Sequence, residues 1–249
     1  MRQIAPTLAR APRLFCDEVL SPGATVRLTE RAARHLAALR LKAGDPVTLF
    51  NGDGFESSAL LAEIGKRGAL ATVKRRDAVD RESPLAVHLV QGICAADRMD
   101  LVLQKATELG VGSILPVSTA RSIVRLSPER RERRETHWQN VVIAACEQCG
   151  RNRIPQVEAT LPLPNFIAGA PRDGTRVLLA PDGDAGFRGL TISAPVWVLI
   201  GPEGGLTPEE RGMATRAGFM PVRFGPRVLR TETAPLAALA ALQALYGDC

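Results

Sequence analysis

The chain has 249 residues, 45% of them apolar, a formal net charge of +6 and a pI near 9.5. That length holds one large domain or two smaller ones, and the apolar share suffices for a substantial core. No apolar run approaches the roughly 20 residues that a membrane-spanning helix needs, and the N-terminus lacks a continuous hydrophobic signal core, so a soluble, cytoplasmic protein is expected. The five cysteines, at 16, 94, 146, 149 and 249, are odd in number and show no framework spacing, which fits a reducing compartment.

From the N-terminus, apolar spacing predicts a helix over about Glu30 to Leu41, ended by Gly44, and strands over Val47 to Phe50, Ser57 to Ile64 and Ala69 to Val73. Asn51-Gly52 and Gly65-Lys66-Arg67-Gly68 fall between the strands as hairpin turns, so a small β-barrel is the economical arrangement. The polar stretch Asp77 to Pro84 reads as a linker, dividing the chain into residues 1–80 and 81–249. The first 80 residues carry 13 basic against 9 acidic side chains, which makes the smaller part the more basic. A polyanionic partner suits that balance.

After the linker, strands alternate with helices. Strands are predicted at Leu85 to Ile93, Ser113 to Val117, Arg176 to Ala180, Val196 to Ile200 and Met220 to Phe224, and helices at Arg98 to Leu109 (closed by Gly110) and Ser127 to Cys146 (opened by Ser127-Pro128). This is the βα alternation of a parallel sheet. A further helix starts at Thr207-Pro208-Glu209-Glu210, with Thr207 suited to the N-cap. The last runs from about Pro235 to Leu245, with Thr231 or Thr233 as its cap.

Two loops carry the chemistry. Ile200-Gly201-Pro202-Glu203-Gly204-Gly205-Leu206 leaves a strand that is apolar on both faces, and its glycines let backbone N–H groups approach a ligand closely. Phe224 to Ala234 places Arg227, Arg230, Thr231, Glu232 and Thr233 between two apolar elements. Together they read as two walls of one pocket. Neither is a phosphate-cradling Gly-x-x-x-x-Gly-Lys-Ser/Thr loop nor a Gly-x-Gly-x-x-Gly dinucleotide turn, so phosphoryl and hydride transfer drop in rank.

Other polar features read as structural. Cys146-x-x-Cys149 stands toward a helix C-terminus, where the dipole disfavours thiolate, and has no second cysteine pair with which to hold zinc. His35 and His88 lie within a helix and a strand without a catalytic neighbour. The run Glu129 to Glu135 alternates charge at helical spacing and pairs with itself in solvent.

Gly201 to Leu206, Arg227 to Ala234, Lys105-Ala106-Thr107-Glu108-Leu109-Gly110 and Glu147-Gln148-Cys149-Gly150-Arg151 resemble motifs of the bacterial 16S ribosomal RNA uracil-N3 methyltransferases, of the knotted SPOUT class. The resemblance runs from Arg13-Leu14-Phe15 to the C-terminal helix. Cys149 stands where a serine is expected, and Pro235 where another small residue is common; both differences are small in size. The resemblance implies a PUA-like RNA-binding β-barrel domain in residues 1–80 and a SPOUT α/β domain with a parallel sheet and trefoil knot in 81–249. It also implies S-adenosylmethionine as cofactor, 16S rRNA within the 30S subunit as partner, and a homodimer, with neither metal nor membrane involved.

On that resemblance, Leu179, Ile200, Gly201, Gly205, Phe224, Gly225, Leu229 and Thr233 hold the cofactor. Methylating uracil N3 requires loss of an imide proton and alignment of the nitrogen with the methyl group, which is mostly positioning and charge stabilisation. Arg230 is the candidate for charge developing on a uracil carbonyl oxygen, and Glu232 or Glu203 for taking the proton. Glu232 has a plainer reading as an acid at a helix N-terminus. Arg13, Lys105, Arg121 and Arg151 are candidates for RNA phosphates, although Lys105 and Glu108, three apart on one helix, also suit each other. Two alternatives remain: a SPOUT enzyme for a ribose 2′-hydroxyl or another base, and a noncatalytic RNA-binding module.

Overall fold

A computed structural model of the chain describes residues 11–122 and 128–249, so Ser127, expected to open a helix, lies outside the described residues. Two compact units form, Met1–Arg81 with Cys146–Ile154, and Glu82–Ala145 with Pro155–Cys249.

The first unit contains β1 (Arg13–Phe15), β2 (Thr25–Leu28), α1 (Glu30–Ala38), β3 (Pro46–Phe50), β4 (Phe55–Gly65) and β5 (Gly68–Ala78), with sheet order β1-β3-β4-β5-β2. β1 runs parallel to β3, and the other pairs are antiparallel. β4 matches its expected range within two residues at either end, whereas β5 runs on to Ala78, well past the expected Val73. Register shifts at Ser58/Ala59 and Leu61/Glu63 bend them, and the sheet curls around its apolar side. Alternate residues Val47, Leu49, Ala59, Leu61, Ala71 and Val73 point into that side and meet Ala32, Ala33 and Leu36 of α1. α1 begins where the Thr29 hydroxyl accepts the Ala32 N–H at 3.2 Å. It ends earlier than expected, because Arg40 takes the left-handed conformation (φ 58°) four residues before Gly44.

Cys146–Ile154 packs within this unit, although the sequence alone places it in the second. Asn152 Nδ2 donates to the Val79 carbonyl at 2.7 Å, and Glu147 Oε1 accepts the Phe15 N–H at 3.1 Å.

The second unit contains β6 (Val87–Gly92), α2 (Ala96–Glu108), β7 (Ser113–Ser118), α3 (Pro128–Cys149, its last turn in the first unit), β8 (Gln156–Val157), β9 (Leu161–Pro162) and α4 (Leu163–Ala168). There follow β10 (Thr175–Leu179), β11 (Val196–Ile200), α5 (Pro208–Arg216), β12 (Met220–Val222) and α6 (Thr233–Tyr246). The sheet is parallel, in the order β12-β10-β11-β6-β7-β8, with β9 also pairing β7. Val90, Leu199 and Leu178 stand side by side in register and pack with Leu163, Phe166 and Ala214 of α4 and α5. The intervening Leu89, Val198 and Val177 are equally buried, so both faces are covered.

Neither Thr231 nor Thr233 caps α6. Glu232 occupies the N-cap position with helical dihedrals and no side-chain cap bond, because the Thr231 hydroxyl is used elsewhere. Thr207 does cap α5: its hydroxyl accepts the Glu210 N–H at 3.2 Å, and Glu210 Oε2 accepts the Thr207 N–H at 2.8 Å.

His88 is a structural residue. Its ring stacks on Trp197, its neighbour across β6 and β11, at 4.4 Å, and burial lowers its pKa. Its Nδ1 lies 2.7 Å from Ser113 Oγ.

Candidate active site

A cavity of about 500 Å³ opens at the carboxyl ends of β10 and β11 in the second unit. Crevices beyond the carboxyl ends of parallel strands are where open α/β sheets bind ligands. The cavity is lined by six of the eight residues expected to hold a cofactor: Leu179, Ile200, Gly201, Gly205, Phe224 and Leu229. Gly225 and Thr233 do not line it. Gly225 turns the second loop (φ 66°) and borders a neighbouring groove with Phe187 and Ala244, while Thr233 is the first residue of α6.

The glycines of the first loop serve different ends. Gly205 alone has a positive φ (66°), and its N–H closes a turn onto the Pro202 carbonyl at 2.8 Å. Gly204 sits close to a neighbour, since a Cβ there would stand 3.0 Å from Arg121 Cβ. Gly92, at the end of β6, is more constrained still: a Cβ would lie 2.5 Å from Pro202 N and 2.6 Å from its Cδ. The sequence reading did not single out Gly92.

Two buried polar side chains tie the loops together. Thr231 Oγ1 donates to the Gly201 carbonyl at 2.8 Å and accepts from Gln91 Nε2 at 3.2 Å. Gln91 Nε2 also donates to the Gly92 carbonyl at 3.0 Å. The N–H groups of Val228 and Leu229 make no hydrogen bond within the described residues and are available to a ligand.

The charged groups form a line. Glu203 Oε1 accepts the Ala95 N–H at 2.9 Å, just before α2, and Arg98 Nη1 at 3.1 Å. Arg98 Nε lies 3.8 Å from Glu232 Oε2, and Glu232 Oε1 lies 3.9 Å from Arg230 Nη1. Arg230 lines the cavity with its side chain 80% exposed, so it stands at the mouth. Glu232 is not part of the lining and accepts no hydrogen bond. Arg98 was missed by sequence reasoning; its position in the first turn after a strand that ends at the crevice was the available signal. The buried Cys94 thiol is pushed up to about 12, first by burial and then by the fields of Glu203 and Glu232, with Arg98 opposing.

The four candidates for RNA phosphates fare unequally. Arg13 is an internal tie, not a surface cation: its Nη1 donates to Glu56 at 2.6 Å, its Nη2 to Asn152 Oδ1 at 2.7 Å, and its guanidinium lies over the Phe50 ring. Arg151 is 94% buried (6% exposed). Lys105 is half-exposed but pairs with Glu108 at 2.9 Å. Arg121 is exposed, and its Nη1 donates to the Gly204 carbonyl at 3.0 Å, which pins the first loop. No cluster of metal-ligating side chains and no helix long and apolar enough to cross a membrane occurs among the described residues.

Residues 81–243 match the family model of an RNA methyltransferase domain, and residues 28–74 that of an RNA methyltransferase PUA domain. The crystal structure of a ribosomal RNA small subunit methyltransferase E from Neisseria gonorrhoeae, bound to S-adenosyl methionine, is 42% identical. It superimposes with a TM-score of 0.92 over 96% of this chain and 99% of that one. The ribosomal RNA small subunit methyltransferase E of Buchnera aphidicola subsp. Schizaphis graminum is 30% identical over 241 residues, 96% of this chain and 98% of its own. That of Bacillus subtilis is 29% identical over 239 residues, covering 90% of this chain and 93% of its own. With the parallel sheet, its crevice and the curled N-terminal sheet already in place, these matches establish that the chain belongs to the RNA methyltransferase family that includes the ribosomal RNA small subunit methyltransferases E.

Proposed function

We propose that this chain methylates N3 of a uridine in 16S ribosomal RNA, taking the methyl group from S-adenosylmethionine. The observation that carries the reading is the convergence of two loops on one cavity, with Arg230 and Glu232 beside its mouth. The cavity suits the donor. About 500 Å³ is in the range of small-molecule sites, Leu179, Ile200, Phe224 and Leu229 supply apolar wall for a purine, and the Val228 and Leu229 N–H groups are unengaged.

When bound, the donor supplies an activated sulfonium methyl group. The protein supplies position and charge. Leu179, Ile200, Gly201, Gly205, Phe224 and Leu229 hold the donor, while Gly225 and Thr233 shape the second loop behind it. Arg230 stabilises negative charge on a uracil carbonyl oxygen as the imide proton leaves. Glu232, with no hydrogen bond on either carboxylate oxygen, accepts that proton. Glu203 is committed to Ala95 and Arg98, and so keeps the first loop in place. The target uridine must be unpaired or extruded to offer its Watson–Crick edge. Family resemblance supports the assembled 30S particle as substrate, Arg121 as a phosphate contact, and a cytoplasmic homodimer as the working form.

Mass-spectrometric nucleoside analysis of small-subunit rRNA, incubated with the protein and labelled donor as free RNA or as 30S particles, tests this. Labelled N3-methyluridine is expected, with more from particles. Label in a 2′-O-methyl nucleoside overturns the choice of atom, and absence of label together with absence of donor binding overturns the enzyme. Arg230→Ala and Glu232→Gln are each expected to lower turnover at saturating RNA by about 100-fold.

A further inference from the structure

We infer that Arg98 is the positioning residue that couples the two loops, holding Glu203 of the first and Glu232 of the second on a single guanidinium. Arg98 projects from the first turn of α2, lines the cavity, and is 37% exposed. One face of its guanidinium fork meets Glu203 at 3.1 Å and the other lies 3.8 Å from Glu232. The two carboxylates are only 15% and 14% exposed, and one oxygen of each, Oε2, is fully buried without a hydrogen-bond partner. Two such acids brought together in a poorly hydrated place repel one another and disfavour the loop arrangement that unites them.

The groups facing this point come from four segments: Arg98 from α2, Glu203 from the first loop, Arg230 and Glu232 from the second, and the Cys94 thiol from the segment after β6. Arg230 faces Glu232 and, among the described residues, forms no ion pair with Glu203. Arg98 is the cation shared by both acids among the described residues. The arrangement is a fork, and a lysine can occupy only part of it. Because α2 starts beside β6, the coupling anchors both loops to the centre of the sheet.

Hydrogen exchange of the protein without donor or RNA tests the coupling directly, comparing the wild type with Arg98→Met and Arg98→Lys. Arg98→Met is expected to speed exchange about tenfold in peptides spanning both 200–206 and 229–233, with β10 unchanged as the internal reference, and Arg98→Lys to recover part of the protection. Faster exchange confined to 200–206, or found in neither segment, overturns the inference. If β10 also loosens in Arg98→Met, the comparison is made on Arg98→Lys, where partial loosening of both segments is expected and none overturns it.

The turnover arm rests on the proposed N3 chemistry. On Arg98→Met, kcat falls about tenfold or more while KM for RNA stays within about threefold. Arg98→Lys recovers part of kcat, since one limb of the fork is kept. A wild type that makes N3-methyluridine while Arg98→Met keeps kcat unchanged overturns the positioning role. A wild type that methylates another atom overturns the chemical reading instead, and leaves the exchange result to stand or fall alone.

Discussion

The hydroxyl of Thr231 donates to the carbonyl of Gly201 at 2.8 Å, joining the second loop of the cavity to the first. Thr231 is 6% exposed and also receives the Gln91 amide, so its hydroxyl is the middle of a buried chain. Thr231→Val keeps the shape, leaves the Gly201 carbonyl without its donor and leaves Gln91 Nε2 with the Gly92 carbonyl alone. A loss of about 1–3 kcal/mol is expected in urea unfolding, together with weaker donor binding, and Thr231→Ser is expected to retain most of both. Equal stability of the valine variant and the wild type would sink this account.

Gly92 and Gly205 separate space from dihedral strain. A Cβ on Gly92 would lie 2.5 Å from the Pro202 backbone nitrogen, a contact no flexible side chain can relieve. A Cβ on Gly205 would meet nothing within 4 Å, and the cost there is only that of a φ of 66°. Gly205→Ala is expected to cost about 1–2 kcal/mol and to leave donor binding measurable by calorimetry. Gly92→Ala is expected to displace the first loop and abolish that binding.

Acid sensitivity in the first unit should trace to Glu56. Burial raises its pKa, but hydrogen bonds and charge from Arg81 and Arg13 outweigh burial and leave it below the ordinary 4.5. A group with a lowered folded pKa contributes stability that is present above its unfolded value and lost as pH falls through the folded one. Urea midpoints taken between pH 6 and pH 3 should therefore fall on acidification in the wild type, and fall less in Glu56→Gln, which starts lower. Arg13→Met should cost about 1–3 kcal/mol at neutral pH, because the Asn152 amide oxygen loses its guanidinium donor while Glu56 keeps its pair with Arg81.

Cysteine reactivity should report the field of the site. Cys94 is fully buried with its thiol pushed up to about 12, while Cys249 is exposed. Iodoacetamide at pH 8 is expected to label Cys249 and leave Cys94 unmodified, by peptide mass spectrometry. Rapid labelling of Cys94 in the folded protein would contradict its burial.

The parallel sheet and the two loops were legible because they leave local signatures. Val196 to Ile200 is apolar on both faces, and Thr207-Pro208-Glu209-Glu210 carries the whole start of α5 in four residues. Arg13 was not legible as an internal residue. Whether an arginine points to solvent or inward depends on Glu56 and Asn152, which lie 43 and 139 positions away. The early end of α1 at Arg40 and the αR conformation at Glu232 were hidden too, since both go against the local preferences for glycine at a helix end and threonine at a helix start. Arg98 escaped notice because nothing in its own neighbourhood shows that Glu203 and Glu232 converge upon it.

β11 follows β10 in the chain yet lies between β10 and β6. During synthesis on the ribosome, β6 and β10 therefore emerge with no common edge to share, and the slot between them is filled only when residues 196–200 arrive. The second wall of the cavity comes later still, with Phe224 to Ala234. A nascent chain halted before that point has half a crevice and no place to grip a methyl donor, so competence arrives in one late step rather than accumulating as the polypeptide grows.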